Sequence, residues 1–245
     1  MQIIWHGQSC FEIIIVKGKG EHVTILVDPS DEAKTGLRTP KTDAQIVLLT
    51  NDAYTSRNTE KAAAGAFVVD GPGEYEIKGI YVRGIDSNFG KTLPASAEAP
   101  ADKPAGKEEK KPAKKPATKE TAAPPSSTIY TIEAEEMKLC HLGNLREAEL
   151  NAAQVEKIGN IDILMFAAGD GRNLGAKEAL RIVSQIEPSV AIPMNYEIPK
   201  LKLEAGSLKE FLKAAGASAI EPLPKLTIRR KEINAEEAKI IVLNP

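Results

Sequence analysis

A chain of 245 residues with 42% hydrophobic and 27% charged side chains has the profile of a soluble globular protein able to bury one substantial core or two small ones. A formal net charge of −2 excludes a global attraction to nucleic acid or anionic membrane. The longest apolar runs, residues 13–16 and 161–168, the latter interrupted by Asp162, fall far short of the roughly 20 residues a bilayer helix needs.

The N-terminal stretch MQIIWHGQSCFEIII has no basic n-region and no cleavage site, so a cytoplasmic location is expected. Cys10 and Cys140 sit in strand-like stretches and read as reduced, buried small hydrophobes. Apolar alternation predicts strands at 2–5, 11–16, 23–27, 46–49, 66–69, 75–77 and 80–85. The Ala-rich stretch 56–65 reads as a helix, with Gly65 as its C-terminal cap.

From residue 91 to 127 the chain is rich in Lys, Pro and Ala and carries no aromatic residue. Such a segment cannot pack a core and is expected to be a solvated, disordered insert. A weak, salt-sensitive contact with polyanions is its one functional reading. Beyond it come strands at 128–133 and 137–141, a helix at 151–157, and a strand at 161–166. A helix at 176–186, a strand at 189–192, a helix at 207–215 and terminal strands at 226–230 and 239–243 complete the series. The insert then joins two consecutive strands, and residues 1–245 form a single α/β domain of two packed sheets with helices outside both. The glycine-rich run 169–175 reads as a strand-to-helix connection, with anion cradling beside Arg172 as the sharper alternative.

Seven local motifs stand in one order: IIWHGQSCFEI at the start, VDP at 27–29, IVLLT at 46–50, GPGEYEIKGI at 71–80, CHLGNL at 140–145, DILMFAAG at 162–169 and IPMNY at 192–196. In this order they resemble the metallo-β-lactamase superfamily, closest to its L-ascorbate-6-phosphate lactonase-like metal-dependent hydrolases. The resemblance covers most of the chain and implies an αββα four-layer sandwich with two mixed sheets. It also implies a pair of divalent metals held by a loop of pattern H-x-H-x-D-H. Here that loop has Asn51, Ala53, Thr55 and Ser56 at the four ligand positions, with Asp52 as a spacer. The family's H-L-G-D keeps His141 but places Asn144 at the bridging Asp; P-M-H-Y carries Asn195, and G-H-S carries Gln8.

Amide and hydroxyl groups supply neither the charge nor the nitrogen lone pairs that replace the hydration of two divalent cations. The expectation is therefore a neutral polar cleft without a cofactor, in a catalytically silent protein that binds a small molecule or a protein. The alternative is a lactone or phosphoester hydrolase with one divalent metal, Zn or Mn, relocated onto His141 with Asp28, Asp52 or Glu74. Asp28 otherwise reads as a turn residue accepting backbone N–H bonds before Pro29, and Glu74 as a strand residue. His6 with Ser9 is a weak nucleophile dyad candidate. Relatives in this superfamily often assemble into homo-oligomers, and no membrane partner is expected.

Overall fold

The computed structural model of the chain describes residues 1–51, 59–88, 127–145, 147–169, 174–217, 219–233 and 238–245. Alternating apolar side chains make three antiparallel strands of the first 27 residues: β1 (Gln2–Trp5), β2 (Phe11–Val16) and β3 (His22–Val27). Ile3, Trp5, Ile13 and Ile25 all point to one buried face. A short helix follows, α1 (Glu32–Thr35), started by the Asp31 carboxylate on the Ala33 N–H and ended by Gly36 at φ +76°. Strands β4 (Ile46–Leu48) and β5 (Phe67–Val69) extend the sheet in parallel, with α2 (Thr59–Ala62) between them. Strands β6 (Gly73–Ile77) and β7 (Ile80–Asp86) open the second sheet as a hairpin.

Past the insert, β8 (Thr128–Ala134) and β9 (Met137–His141) continue the antiparallel half of that sheet. The chain then alternates: α3 (Ala152–Ile158), β10 (Ile163–Ala167), α4 (Ala176–Ile186), β11 (Val190–Met194) and α5 (Leu208–Ala214). Two short strands end the chain, β12 (Leu226–Thr227) beside β1 and β13 (Lys239–Ile240) beside β11. The six-stranded sheet has the order β12-β1-β2-β3-β4-β5 and the seven-stranded sheet β13-β11-β10-β9-β8-β7-β6.

Both sheets are mixed, and their facing surfaces share one core that includes Trp5, Ile13, Ile25, Tyr130, Leu139 and Met165. Helices α3 to α5 cover the outside of the larger sheet, where Cys140, Leu164 and Phe166 meet Ile182 and Phe211. Ala62 of α2 packs with Leu26 and Val47 on the outside of the smaller one. This is the expected four-layer arrangement of two mixed sheets flanked by helices.

Several boundaries follow from caps. Asn151 and Ser207, expected inside helices, are the N-caps of α3 and α5, with side-chain oxygens on the N–H groups of Gln154 and Lys209. Strand β12 stops at Thr227, and residues 230–232 form a 3-10 turn in place of strand. The helix expected over 56–65 is described from Thr59 and ends at Ala62; Gly65 takes its positive φ, +72°, in the turn beyond.

Asp86 pairs with Thr128, so the chain leaves and re-enters the larger sheet at one point. Nearly all of the insert expected at 91–127 lies outside the described residues, as do Arg172 and Asp170 of the glycine-rich run. No helix among the described residues is long and apolar enough to cross a membrane.

Candidate functional site

Strand ends and tight turns meet at one end of the sandwich, and their backbone is unusual. Three residues there hold a left-handed conformation without being glycine: Gln8 at φ +50°, Asp28 at +45° and Asn195 at +55°. That region costs an L-residue of order 1 kcal/mol or more, and such strain persists only where surrounding contacts enforce it.

The Asp28 turn is enforced by β4. Its N–H donates to Leu48 O at 2.9 Å. The carboxylate receives the Thr50 N–H at 2.7 Å and the Thr50 hydroxyl at 2.5 Å, all of it buried. Asp28 does accept a backbone N–H, but from a residue 22 positions away and not from its own turn. Asn51 donates its side-chain N–H to Thr50 Oγ1 at 2.9 Å, which leaves the hydroxyl proton for Asp28. Thr50 O in turn receives Thr128 N–H at 2.8 Å and so ties the two sheets together. The Tyr130 hydroxyl adds a second tie, donating to Leu49 O at 3.1 Å.

His141 ends β9 and is completely buried. Its Nε2 lies 3.0 Å from Ser9 O, and its Nδ1 lies 3.1 Å from Gly143 N. A carbonyl only accepts and a backbone N–H only donates, which fixes the neutral tautomer: Nε2–H donates to Ser9 and the Nδ1 lone pair accepts from Gly143. The Phe11 ring stands edge-on at 5.6 Å between centroids. Burial drives the imidazole pKa down from the ordinary 6.5 to about 4, against the opposing pull of the Ser9 bond.

Gly143 packs against Thr50 so closely that a Cβ would fall 2.7 Å from Thr50 Cβ. The Asn144 N–H reaches Ser127 Oγ at 3.3 Å. On the other side, Gln8 donates its side-chain N–H to Tyr196 O at 3.3 Å. A chain of contacts thus links Gln8, Ser9, His141, Gly143, Thr50, Asp28 and Asn51, with Asn144 and Asn195 beside it. The side-chain amides of Asn144 and Asn195 make no hydrogen bond to a described residue. Asp52, Ala53, Thr55 and Ser56 lie outside the described residues. Thr50, Ser127 and Gly143 carry much of this geometry and were not singled out from sequence; only the Gly of the HLG triplet gave a signal.

Other candidates lie apart. His6 Nε2 is 3.1 Å from Glu12 and is thereby turned to a carboxylate, not to the Ser9 hydroxyl. Glu74 pairs with Arg83 at 3.1 Å. Cys10 and Cys140 are free and buried, and desolvation pushes both thiols well above their ordinary range.

A two-metal centre needs several imidazoles and carboxylates with lone pairs to spare. Among the described residues no three His, Cys, Asp or Glu side chains cluster closely enough to hold a metal ion. His141 has both ring nitrogens committed, and both Asp28 oxygens are occupied by Thr50. The remaining donors at this site among the described residues are neutral amides and hydroxyls. These residues do not fit a pair of divalent metals.

A family model described as "Beta-lactamase superfamily domain" matches residues 2–195. A UPF0173 metal-dependent hydrolase of Methanopyrus kandleri is 25% identical over 224 residues, which is 88% of this chain and 93% of that protein. Among solved structures, a Thermotoga maritima protein described as a candidate Zn-dependent hydrolase of the metallo-beta-lactamase superfamily superposes at TM-score 0.68. It is 26% identical, over 99% of this chain and 97% of its own. A metallo hydrolase of Ignicoccus hospitalis shares the fold at TM-score 0.52 and 14% identity, over 93% of this chain and 99% of its own. With four-fifths of its length matched and both sheets in place, the chain belongs to the beta-lactamase superfamily domain family.

Proposed function

We propose that this chain uses the cleft at the end of its sandwich to bind a polar molecule or a protein segment, and not to run two-metal hydrolysis. The observation that carries this reading is His141, whose two ring nitrogens are both spent inside the fold. A metal at either nitrogen has to displace Ser9 O or Gly143 N–H and leave a buried polar group unpaired, which costs about 1–3 kcal/mol. Asn144 and Asn195 present neutral amides with no described partner, suited to a ligand that both donates and accepts hydrogen bonds.

A second reading is a metal-dependent hydrolase acting on a lactone or phosphoester, with one Zn or Mn. The Methanopyrus relative, a metal-dependent hydrolase, and the Thermotoga relative, a candidate Zn-dependent hydrolase, favour it. Asp52 is the acid nearest in sequence to the loop it would use.

Elemental analysis of protein purified with zinc and manganese present, followed by a lactone and phosphoester hydrolysis screen, decides between them. Metal far below one ion per chain and no turnover is the expected result. Tightly held, near-stoichiometric metal with turnover overturns the first reading in favour of the second.

A further inference from the structure

Beside the Gly7–Gln8 turn lies a concavity that the metal question does not touch. It holds about 640 Å³ and is lined by Leu37, Arg38 and Lys41 from the segment after α1, and by Ile198, Pro199 and Lys200 from the segment after β11. That volume falls within the range of small-molecule sites.

Its charged side chains, Arg38, Lys41 and Lys200, are all basic. Among the described residues no acidic group lies within ion-pair distance of Arg38, Lys41 or Lys200. Two nearby acids are engaged: Glu12 with His6, which also borders the pocket, at 3.1 Å, and Asp31 with Lys34 at 3.7 Å. The Pro245 end of the chain borders the pocket too, without an ion pair to any of the three cations. Beneath them Leu37 and Ile198 form an apolar floor, each 9% exposed.

The two segments are clasped before any ligand arrives. Lys202 N–H donates to Thr35 O at 2.9 Å and joins them, while Thr39 Oγ1 donates to Ser30 O at 2.7 Å and braces the first segment on itself. Gly36, at φ +76°, passes so near that a Cβ would fall 2.5 Å from Lys200 O. Lys200 itself is held left-handed at φ +69°, a conformation a lysine adopts at a cost. A preformed wall, an apolar floor and three cations at the rim without an ion pair among the described residues match a molecule with an apolar body and one anionic head.

We infer that this pocket is a binding site for a small organic anion, a carboxylate or phosphate monoester with a hydrophobic body. The inference does not depend on whether the neighbouring cleft holds metal.

Calorimetric titration of the full chain tests it, with phenyl phosphate, benzoate, inorganic phosphate and neutral benzamide as probes. Binding is expected for phenyl phosphate or benzoate, weakening as salt is raised, with benzamide and inorganic phosphate at least roughly tenfold weaker. The Arg38→Ala/Lys200→Ala double variant is expected to lose at least roughly tenfold in affinity for the organic anion. Both side chains are exposed, and circular dichroism checks that the variant is folded. No binding of either organic anion, equal binding of benzamide, or equal affinity in the double variant overturns the inference. Equal binding of inorganic phosphate overturns its organic part. Metal content, read on the same samples, bears only on the cleft: metal present with anion binding intact sinks the metal-free reading and leaves this one standing.

Discussion

Two polar regions lie on either side of the Gly7–Gln8 turn, and they spend their polar groups in opposite ways. In the cluster at the end of the sandwich, Asp28, Thr50 and His141 are buried and satisfied by one another and by backbone. In the neighbouring pocket, Arg38, Lys41 and Lys200 are exposed and have no ion pair among the described residues. Saturated buried groups hold strands in register, since removing one partner strands the other in a medium that cannot hydrate it. Unsaturated groups over an apolar floor add little to folding and are free for a ligand. The comparison therefore predicts large stability effects on one side of the turn and small ones on the other.

The largest effect is expected at Asp28. Asp28→Ala leaves the Thr50 N–H and hydroxyl without acceptors and puts alanine at φ +45°. A loss of about 3–5 kcal/mol follows, read as a lower denaturant midpoint. Combining it with Thr50→Val should give a sub-additive loss, because the valine removes the stranded hydroxyl. Full additivity breaks the claim that this pair is one structural unit.

Next comes pH. The folded state holds His141 neutral, with its pKa lowered from 6.5 to about 4. Between those values the unfolded chain binds more protons, so this contribution is complete above about pH 6.5 and is lost as pH falls toward about 4. The full span amounts to roughly 3 kcal/mol. In His141→Gln that pH-dependent component should vanish from the stability profile, whatever the variant's baseline. A variant with the same acid slope as the parent assigns the slope to other groups.

Much of the architecture was legible because it rests on local patterns. Helix α4 matches its expected span 176–186, with Ala179, Ile182 and Ile186 on one buried face and Glu178 at the third helical position. Helix α1 was missed because four residues carry no periodicity, although its caps Asp31 and Gly36 are plain once seen. At the site, the amides of Gln8, Asn51, Asn144 and Asn195 could be read directly from residue types. What could not be read is that His141 is saturated, because its partners Ser9 and Gly143 are set by β2 meeting β9 across 132 residues in one case and by a tight turn in the other. The anion pocket was invisible for the same reason. Arg38 and Lys200 are ordinary surface charges until Gly36 and Lys202 clasp two segments more than 150 positions apart.

The smallest expected effect discriminates most sharply. Lys200 occupies a left-handed position where glycine is at ease, so Lys200→Gly relieves backbone strain of about 1–2 kcal/mol. The entropy of the more flexible unfolded glycine chain takes back about 0.5–1 kcal/mol. Because the ammonium has no partner to lose among the described residues, a net gain of about 0.5 kcal/mol is expected, measured as a small rise in denaturant midpoint. The same variant should bind phenyl phosphate more weakly. A residue whose removal stabilises the fold while weakening a ligand is held there against the fold's own preference, which is how a binding position differs from a structural one. If Lys200→Gly instead destabilises the protein, Lys200 serves the fold after all and the contrast between the two regions fails.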